Sequence, residues 1–483
     1  MWKPKDKIKY NPNPGKWPSQ EIARESKWFS PIKVGSVSLS TRTWIPAMVP
    51  WRSTDDGIVT DRVLAWYERF AEGQPGCIVV EATGIRDVPS GPLLRIGHDR
   101  YISGLKELSD TVHRASNGKT KLFIQLIDFL SIRRRPDVNK FFSRFLKITE
   151  FHRNAIGKKD WTDDQIRDFL SNCSDGDLDK ILSSRELEDL RMGTRERVTD
   201  MELEHIRSLP EVLPNLFADA ADRAKRSGLD GVELHYAHAY TMASFLSKKN
   251  TRDDGYGGEI ENRVKLPLEV FQAVRDRVGE DYPVGCRFLS DECIDGGSTV
   301  EDAQFFALEF ANVGMDFISL SRGGKFEDAK QPPVGGAIYP YTGKSGYECM
   351  PAYISDKQGP FGRNIEPTSS IKSVINSEGF KTPIILAGGI HSFELAEKLI
   401  NEGHADIVAS ARQSLADPDW FLKASLGKGE DIRLCTYSNY CEGLDQKHKI
   451  VTCKLWDRED LSEPNIQKSD DNKRRLIAPS WEI

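Results

Sequence analysis

His235, His238 and Tyr240 fall within six positions, directly after the run Gly231-Val232-Glu233-Leu234. A short buried run that opens straight into titratable side chains reads as a parallel barrel strand at its C-terminal outlet, where such barrels carry their catalytic groups. Two imidazoles there can hold one carbonyl oxygen, and a phenol beside them can deliver a proton to a neighbouring carbon. The loop that follows is dense in glycine and paired charges: Asn250, Arg252, Asp254, Tyr256-Gly257-Gly258 and Glu261-Asn262-Arg263.

The elements needed to position such groups recur along the chain. Short apolar runs at 44–48, 77–81, 121–127, 231–235, 283–288, 317–320, 383–387 and 405–409 alternate with amphipathic stretches, as a parallel α/β protein requires. Eight of them predict an α/β fold of the (β/α)8 TIM-barrel type. Leu213, Leu216, Phe217, Ala220, Ala221 and Ala224 form the stripe of one helix, which Gly228 ends and whose start Pro214 holds to about its first turn.

The interval between the third and fourth strands is far longer than one helix needs. Residues 131–198 are rich in charge, and Thr162-x-x-Gln165 and Ser183-x-x-Glu186 read as capping boxes. This predicts an inserted helical subdomain on the active-site face, a substrate lid or an oligomer contact. Arg133-Arg134-Arg135 reads as a solvated turn. The expected organisation is a barrel over 28–426 that includes the insertion, then a C-terminal extension over 427–483 whose polar tail beyond Arg458 either packs loosely on the surface or is partly disordered.

Composition narrows the function. A net charge of -6 leaves no excess of cations for a nucleic-acid partner. No apolar run approaches the length of a membrane span, and the polar, proline-rich amino terminus lacks a signal-peptide core. Eight cysteines scattered over 483 residues suit a reducing compartment, so the cytoplasm is the expected location.

From His235 onward the pattern His-x-x-His-x-Tyr, Phe245-Leu246-Ser247, Asn-x-Arg-x-Asp-x-Tyr-Gly-Gly and Glu-Asn-Arg resembles the signature of the old yellow enzyme family of FMN-dependent NADH:flavin oxidoreductases (ene-reductases). The likeness lies near the 2,4-dienoyl-CoA reductase and trimethylamine dehydrogenase branch and leaves out the insertion. It implies FMN as cofactor and NAD(P)H as reductant. Backbone groups near Ala82, after the second strand, would meet the flavin pyrimidine, with the Gln125 amide after the third. Arg287 would neutralise charge on the reduced ring, Ala47 and Met48 would lie beside it, and Gly388, Gly389 and Arg412 would take the phosphate. His235 and His238 would then bind the substrate oxygen; Trp51, just beyond the first strand, either walls the pocket or belongs to the core. Tyr240 would protonate carbon as flavin N5 delivers hydride to an activated, carbonyl-conjugated alkene.

Three departures stand out. Ala47-Met48-Val49 replaces a tripeptide that ordinarily ends in a hydroxyl or thiol. Ala411 stands where a glycine precedes the phosphate arginine, and Asp128-Phe129-Leu130-Ser131 replaces His-x-Gly-Arg. Cys435, Cys441 and Cys453 match an iron–sulfur motif of that branch, but Ser438 occupies the second ligand position, so the motif is expected to be degenerate and hold no metal. Alternatives are dehydrogenation of a C–H bond with an electron-transfer protein as acceptor, reduction of an acyl-CoA gripped by the insertion, and a non-enzymatic binding protein. A binding protein has no use for a proton donor such as Tyr240.

Overall fold

The computed structural model describes residues 10–323, 332–336 and 359–482. Eight parallel strands close into a barrel: β1 (Thr43–Ile45), β2 (Cys77–Gly84), β3 (Lys121–Ile127), β4 (Gly231–Tyr236), β5 (Val284–Leu289), β6 (Ile318–Ser321), β7 (Ile384–Ala387) and β8 (Ile407–Ala409). Each neighbours the next, and β8 pairs with β1 through Val408 and Thr43. All eight lie where the apolar runs predict. The first is shorter than expected because Pro46 has no N–H to offer a ladder, which releases Ala47, Met48 and Val49 from β1. Trp44, Phe123 and Phe317 plug the barrel's lower end, with ring centroids 5.5 Å apart.

The helix that carries the Leu213–Ala224 stripe spans Leu209–Arg226. It therefore starts five residues before Pro214, with Pro210 in its first turn, and forgoes one interior hydrogen bond at Pro214. Gly228 follows it with φ of 75°, the left-handed conformation glycine adopts without strain.

After β3 the chain leaves the barrel through an antiparallel pair, Ile132–Arg134 with Gly193–Arg195. Between its arms lies a helical lobe with its own core of Phe142, Ile166, Leu170 and Leu190. Thr162 and Ser183 cap its helices through reciprocal bonds with Gln165 and Glu186. Arg133 and Arg134 belong to this pair and Arg135 follows it directly, so the run is not a solvated turn. Arg133 lies over the Phe145 ring at 4.0 Å and Arg135 donates to the Pro332 carbonyl at 3.1 Å.

The tail also departs from expectation, because it is docked. The buried Arg52 guanidinium donates to the Leu476 carbonyl at 2.6 Å and the Val451 carbonyl at 3.0 Å, and Arg69 donates to the Ala478 carbonyl at 3.1 Å. Trp456 and Leu476 are fully buried. Desolvation, with the neighbouring Arg62, lowers the Arg52 pKa to about 9, and the nearby Glu81 opposes the shift. Among the described residues no helix is long and apolar enough to cross a membrane.

Candidate active site

β4 ends at Tyr236, and the chain then turns sharply through His238 and Ala239, with φ of 57° and 58°. Two consecutive non-glycine residues in this conformation cost on the order of 1–3 kcal/mol each, a strain that clusters at functional sites. A six-residue helix, Thr241–Leu246, restarts directly after Tyr240. The Thr241 hydroxyl donates to the Asp128 carbonyl at 3.1 Å and ties this turn to the end of β3.

The turn aims both imidazoles at one place. His235 Nε2 lies 3.2 Å from His238 Nδ1, and His238 Nε2 lies 2.8 Å from the Ser321 hydroxyl at the end of β6. The Ala237 N–H points at His235 Nδ1 at 3.4 Å. If that nitrogen accepts, His235 carries its proton on Nε2 and donates to His238, which must then donate through Nε2 to Ser321. Burial, reinforced by Arg287, holds the His235 pKa at about 3, and burial with the neighbouring His235 holds His238 well below the ordinary range. Both rings are neutral hydrogen-bonding groups at physiological pH.

Tyr240 stands edge-on to His235 at 5.4 Å and to Phe129 at 5.2 Å. Burial, with a smaller effect from the Asp445 charge, raises its pKa above the ordinary phenol value, so it keeps its proton. Phe129 comes from the stretch that departs from the family pattern. In the same stretch Asp128 is buried and paired with Arg86 at 2.6 Å.

Below the imidazoles the inward side chains of four strands form one polar layer. The Gln125 amide donates to Glu233 at 2.5 Å, and Arg287 donates to the Ser319 hydroxyl at 2.9 Å. Burial raises the Glu233 pKa while Arg287 opposes it, and burial lowers that of Arg287 while Glu233 opposes it, so the two charges compensate each other. In β2 the register shifts between Val80 and Thr83, which takes Glu81 and Ala82 out of the ladder with β3. Ala82 joins Val49, Trp51 and Tyr240 in one apolar cluster with Leu93, Ile127 and Phe129.

The structure thus brings His235, His238, Tyr240, Gln125, Arg287, Ala82 and Trp51 to one end of the barrel, with Ala47 and Met48 at the exit of β1. The phosphate set is arranged differently. Gly388 and Gly389 have φ of 129° and 69°, and a side chain at Gly389 would collide with the Pro360 carbonyl. Arg412 donates to the Asn439 side chain at 2.8 Å and lies over the Tyr437 ring at 4.8 Å. Burial pushes Cys441 and Cys453 up to about 12, and the nearby Cys435 adds to the rise of both. Among the described residues no group of three or more His, Cys, Asp or Glu side chains is disposed to hold a metal ion.

Much of the remaining motif is structural. The Asn250 amide donates to the Phe245 and Tyr256 carbonyls, the Arg252 guanidinium to those of Val198, Ile206 and Arg207, and Arg263 to that of Leu246 and to Asp302. These bonds hold the loop after Tyr240 against the barrel.

With this geometry in hand, comparison with known proteins is decisive. The family model described as NADH:flavin oxidoreductase / NADH oxidase matches residues 27–131 and 194–430. The chain belongs to that family. The NADH oxidase of Thermoanaerobacter brockii is 30% identical over 416 residues, which cover 85% of this chain and 52% of that protein. The chain therefore spans about half the length of that curated relative. A 2-naphthoyl-CoA reductase in complex with 2-naphthoyl-CoA superposes with a TM-score of 0.64 at 20% identity, over 92% of this chain and 60% of that one. The old yellow enzyme homologue from Zymomonas mobilis superposes at 0.52 and 20% identity, over 82% and 92%. These two establish the shared barrel. The family match omits 132–193, the stretch that carries the helical lobe.

Sequence reasoning missed part of the mouth. The Trp51 indole donates to Asp445 at 2.7 Å and stacks on His448 at 4.2 Å, so the C-terminal extension reaches over the barrel beside Tyr240. Gly91 permits this approach, because a Cβ there would lie 2.7 Å from the Trp51 ring. Glu233 was also missed, although a lone carboxylate inside an apolar run was a signal that could have found it.

Proposed function

We propose that this protein reduces the carbon–carbon double bond of an activated, carbonyl-conjugated alkene, using NAD(P)H and bound FMN. The observation that carries the reading is the union, at one barrel end, of two neutral imidazoles and a protonated phenol above a polar layer. The layer's chemistry suits a flavin ring. The Gln125 amide offers both a donor and an acceptor, Arg287 offers positive charge, and the irregularity in β2 turns the Ala82 backbone out of its ladder. When bound, FMN supplies two-electron chemistry between a reduced nicotinamide and the alkene.

The remaining work falls to this chain's side chains. A substrate oxygen takes the His235 Nε2–H in place of His238 Nδ1, and His238 turns its own N–H from Ser321 to the same oxygen. Two neutral donors then draw electron density from the β-carbon as negative charge grows on that oxygen. Tyr240 holds the proton for the α-carbon, while Phe129 and Trp51 exclude water from one side. Gly388, Gly389 and Arg412 are the proposed phosphate ligands; Arg412 would have to exchange Asn439 for the phosphate. Ser438, at the second ligand position of the cysteine motif, supports electron entry directly from the nicotinamide rather than through a cluster. The test is anaerobic turnover of 2-cyclohexenone with NADH or NADPH by protein loaded with FMN. Absence of the saturated ketone with both reductants would overturn the proposal.

A further inference from the structure

We infer that the cavity between the inserted strand pair and the segment after Tyr240 is a second ligand site, built for the carboxylate of a small apolar acid. The cavity measures about 170 Å³ and has Phe129, Ile132 and Val198 as apolar wall, with Tyr240 at one side and Arg197 and Lys249 among its lining. A dry cavity of about 150 Å³ accommodates benzene, so this one has room for a single aromatic ring.

The charge of the lining selects the other end of the ligand. Arg195 and Arg197 both pair with one carboxylate, that of Glu188, so the three groups together are positive. Arg197 Nε is buried and lacks a hydrogen-bond partner among the described residues. A guanidinium has five donors, and one left dry and unmatched is costly. Lys249 is exposed at the rim, where it can meet the same anion. The acid on this wall, Glu196, is already engaged, since its oxygens accept from His205 at 2.8 Å and from the Ser131 N–H at 2.9 Å. A carboxylate on an aromatic or short aliphatic body therefore satisfies the buried donor and fills the apolar wall together. Arg195, Arg197 and Lys249 are not part of the polar layer around Gln125 and Arg287, while Phe129 and Tyr240 wall this cavity and the imidazole site alike.

Calorimetric titration of the full-length protein as purified, with phenylacetate and with its neutral counterpart phenylacetamide, tests this. The acid should bind about tenfold more tightly than the amide, the scale of one hydrogen bond to a charged group. Arg197→Gln should remove that preference and leave amide binding unchanged. Because Arg197 also braces Glu188, the exposed Lys249→Gln serves as the second variant and should weaken the acid about threefold, as a partly screened charge does. Equal affinity for acid and amide, no binding of either, or acid binding that survives Lys249→Gln but is lost in His238→Ala would overturn the inference. The last result would move the acid to the imidazole site.

Discussion

Tyr240→Phe deletes one hydroxyl and keeps the ring, so the edge-on contacts to Phe129 at 5.2 Å and His235 at 5.4 Å survive. Burial raises the phenol's pKa above its ordinary value, so it is protonated at neutral pH. On the proposed mechanism the variant loses a general acid, an effect of about 10²–10⁴-fold, or about 3–5 kcal/mol of barrier. Stopped-flow measurement separates the two halves of turnover. Anaerobic bleaching of the bound flavin by NADPH should be unchanged, whereas reoxidation by 2-cyclohexenone should slow by that factor. A nitroalkene should be affected least, because its stabilised anion can wait for a proton from water. The wild-type reoxidation rate should also be flat between about pH 6 and 9, since the donor titrates far above that range. An equal fall in both halves would show that the tyrosine serves binding, and an unchanged reoxidation rate would refute its role as donor.

Other perturbations probe the rest of the site. His238→Ala should weaken binding of a phenolate that mimics the substrate oxyanion by about 1.5–3 kcal/mol in a spectral titration, the scale of a hydrogen bond to a charged group. With His235 depressed to about 3 and His238 well below its ordinary value, both are neutral across physiological pH, so the pH profile of phenol binding should show the ligand's own ionisation and no inflection near the usual histidine value; such an inflection would contradict the assignment. Arg287→Met should lower the flavin reduction potential by roughly 20–65 mV, the equivalent of 1–3 kcal/mol for two electrons. Glu233→Gln should raise it, because the carboxylate opposes Arg287, and shifts of the same sign in both variants would dissolve the proposed pair. Asp445→Ala removes the Trp51 indole's acceptor, worth about 1 kcal/mol, and should raise KM for the alkene with little change in kcat; a drop in kcat alone would exclude Trp51 as a binding wall.

The barrel was legible because strands covered on both faces read as unbroken apolar runs, and the turn after β4 because histidine and tyrosine are conspicuous at a strand's end. Other features were hidden for physical reasons. Trp51 and Asp445 are 394 positions apart, and nothing local in either stretch announces that they meet. Ser321 pairs with His238 only because β6 and the turn after β4 converge in space. The tail beyond Arg458 looks loose because its residues are polar, yet what anchors it is its main-chain carbonyls, which Arg52 and Arg69 capture and which composition does not reveal. Pro214 misled for a related reason: a long helix packed along its whole apolar stripe tolerates one forgone hydrogen bond that a short one would not.

The most direct measurement of the central claim is the absorption spectrum of the purified protein, reconstituted with FMN if it is isolated without it, during anaerobic titration. The account predicts one FMN per chain, bleached by one equivalent of NADH or NADPH and restored by one equivalent of 2-cyclohexenone with formation of cyclohexanone. A protein that binds no FMN, or whose bound flavin neither nicotinamide can bleach, would contradict it.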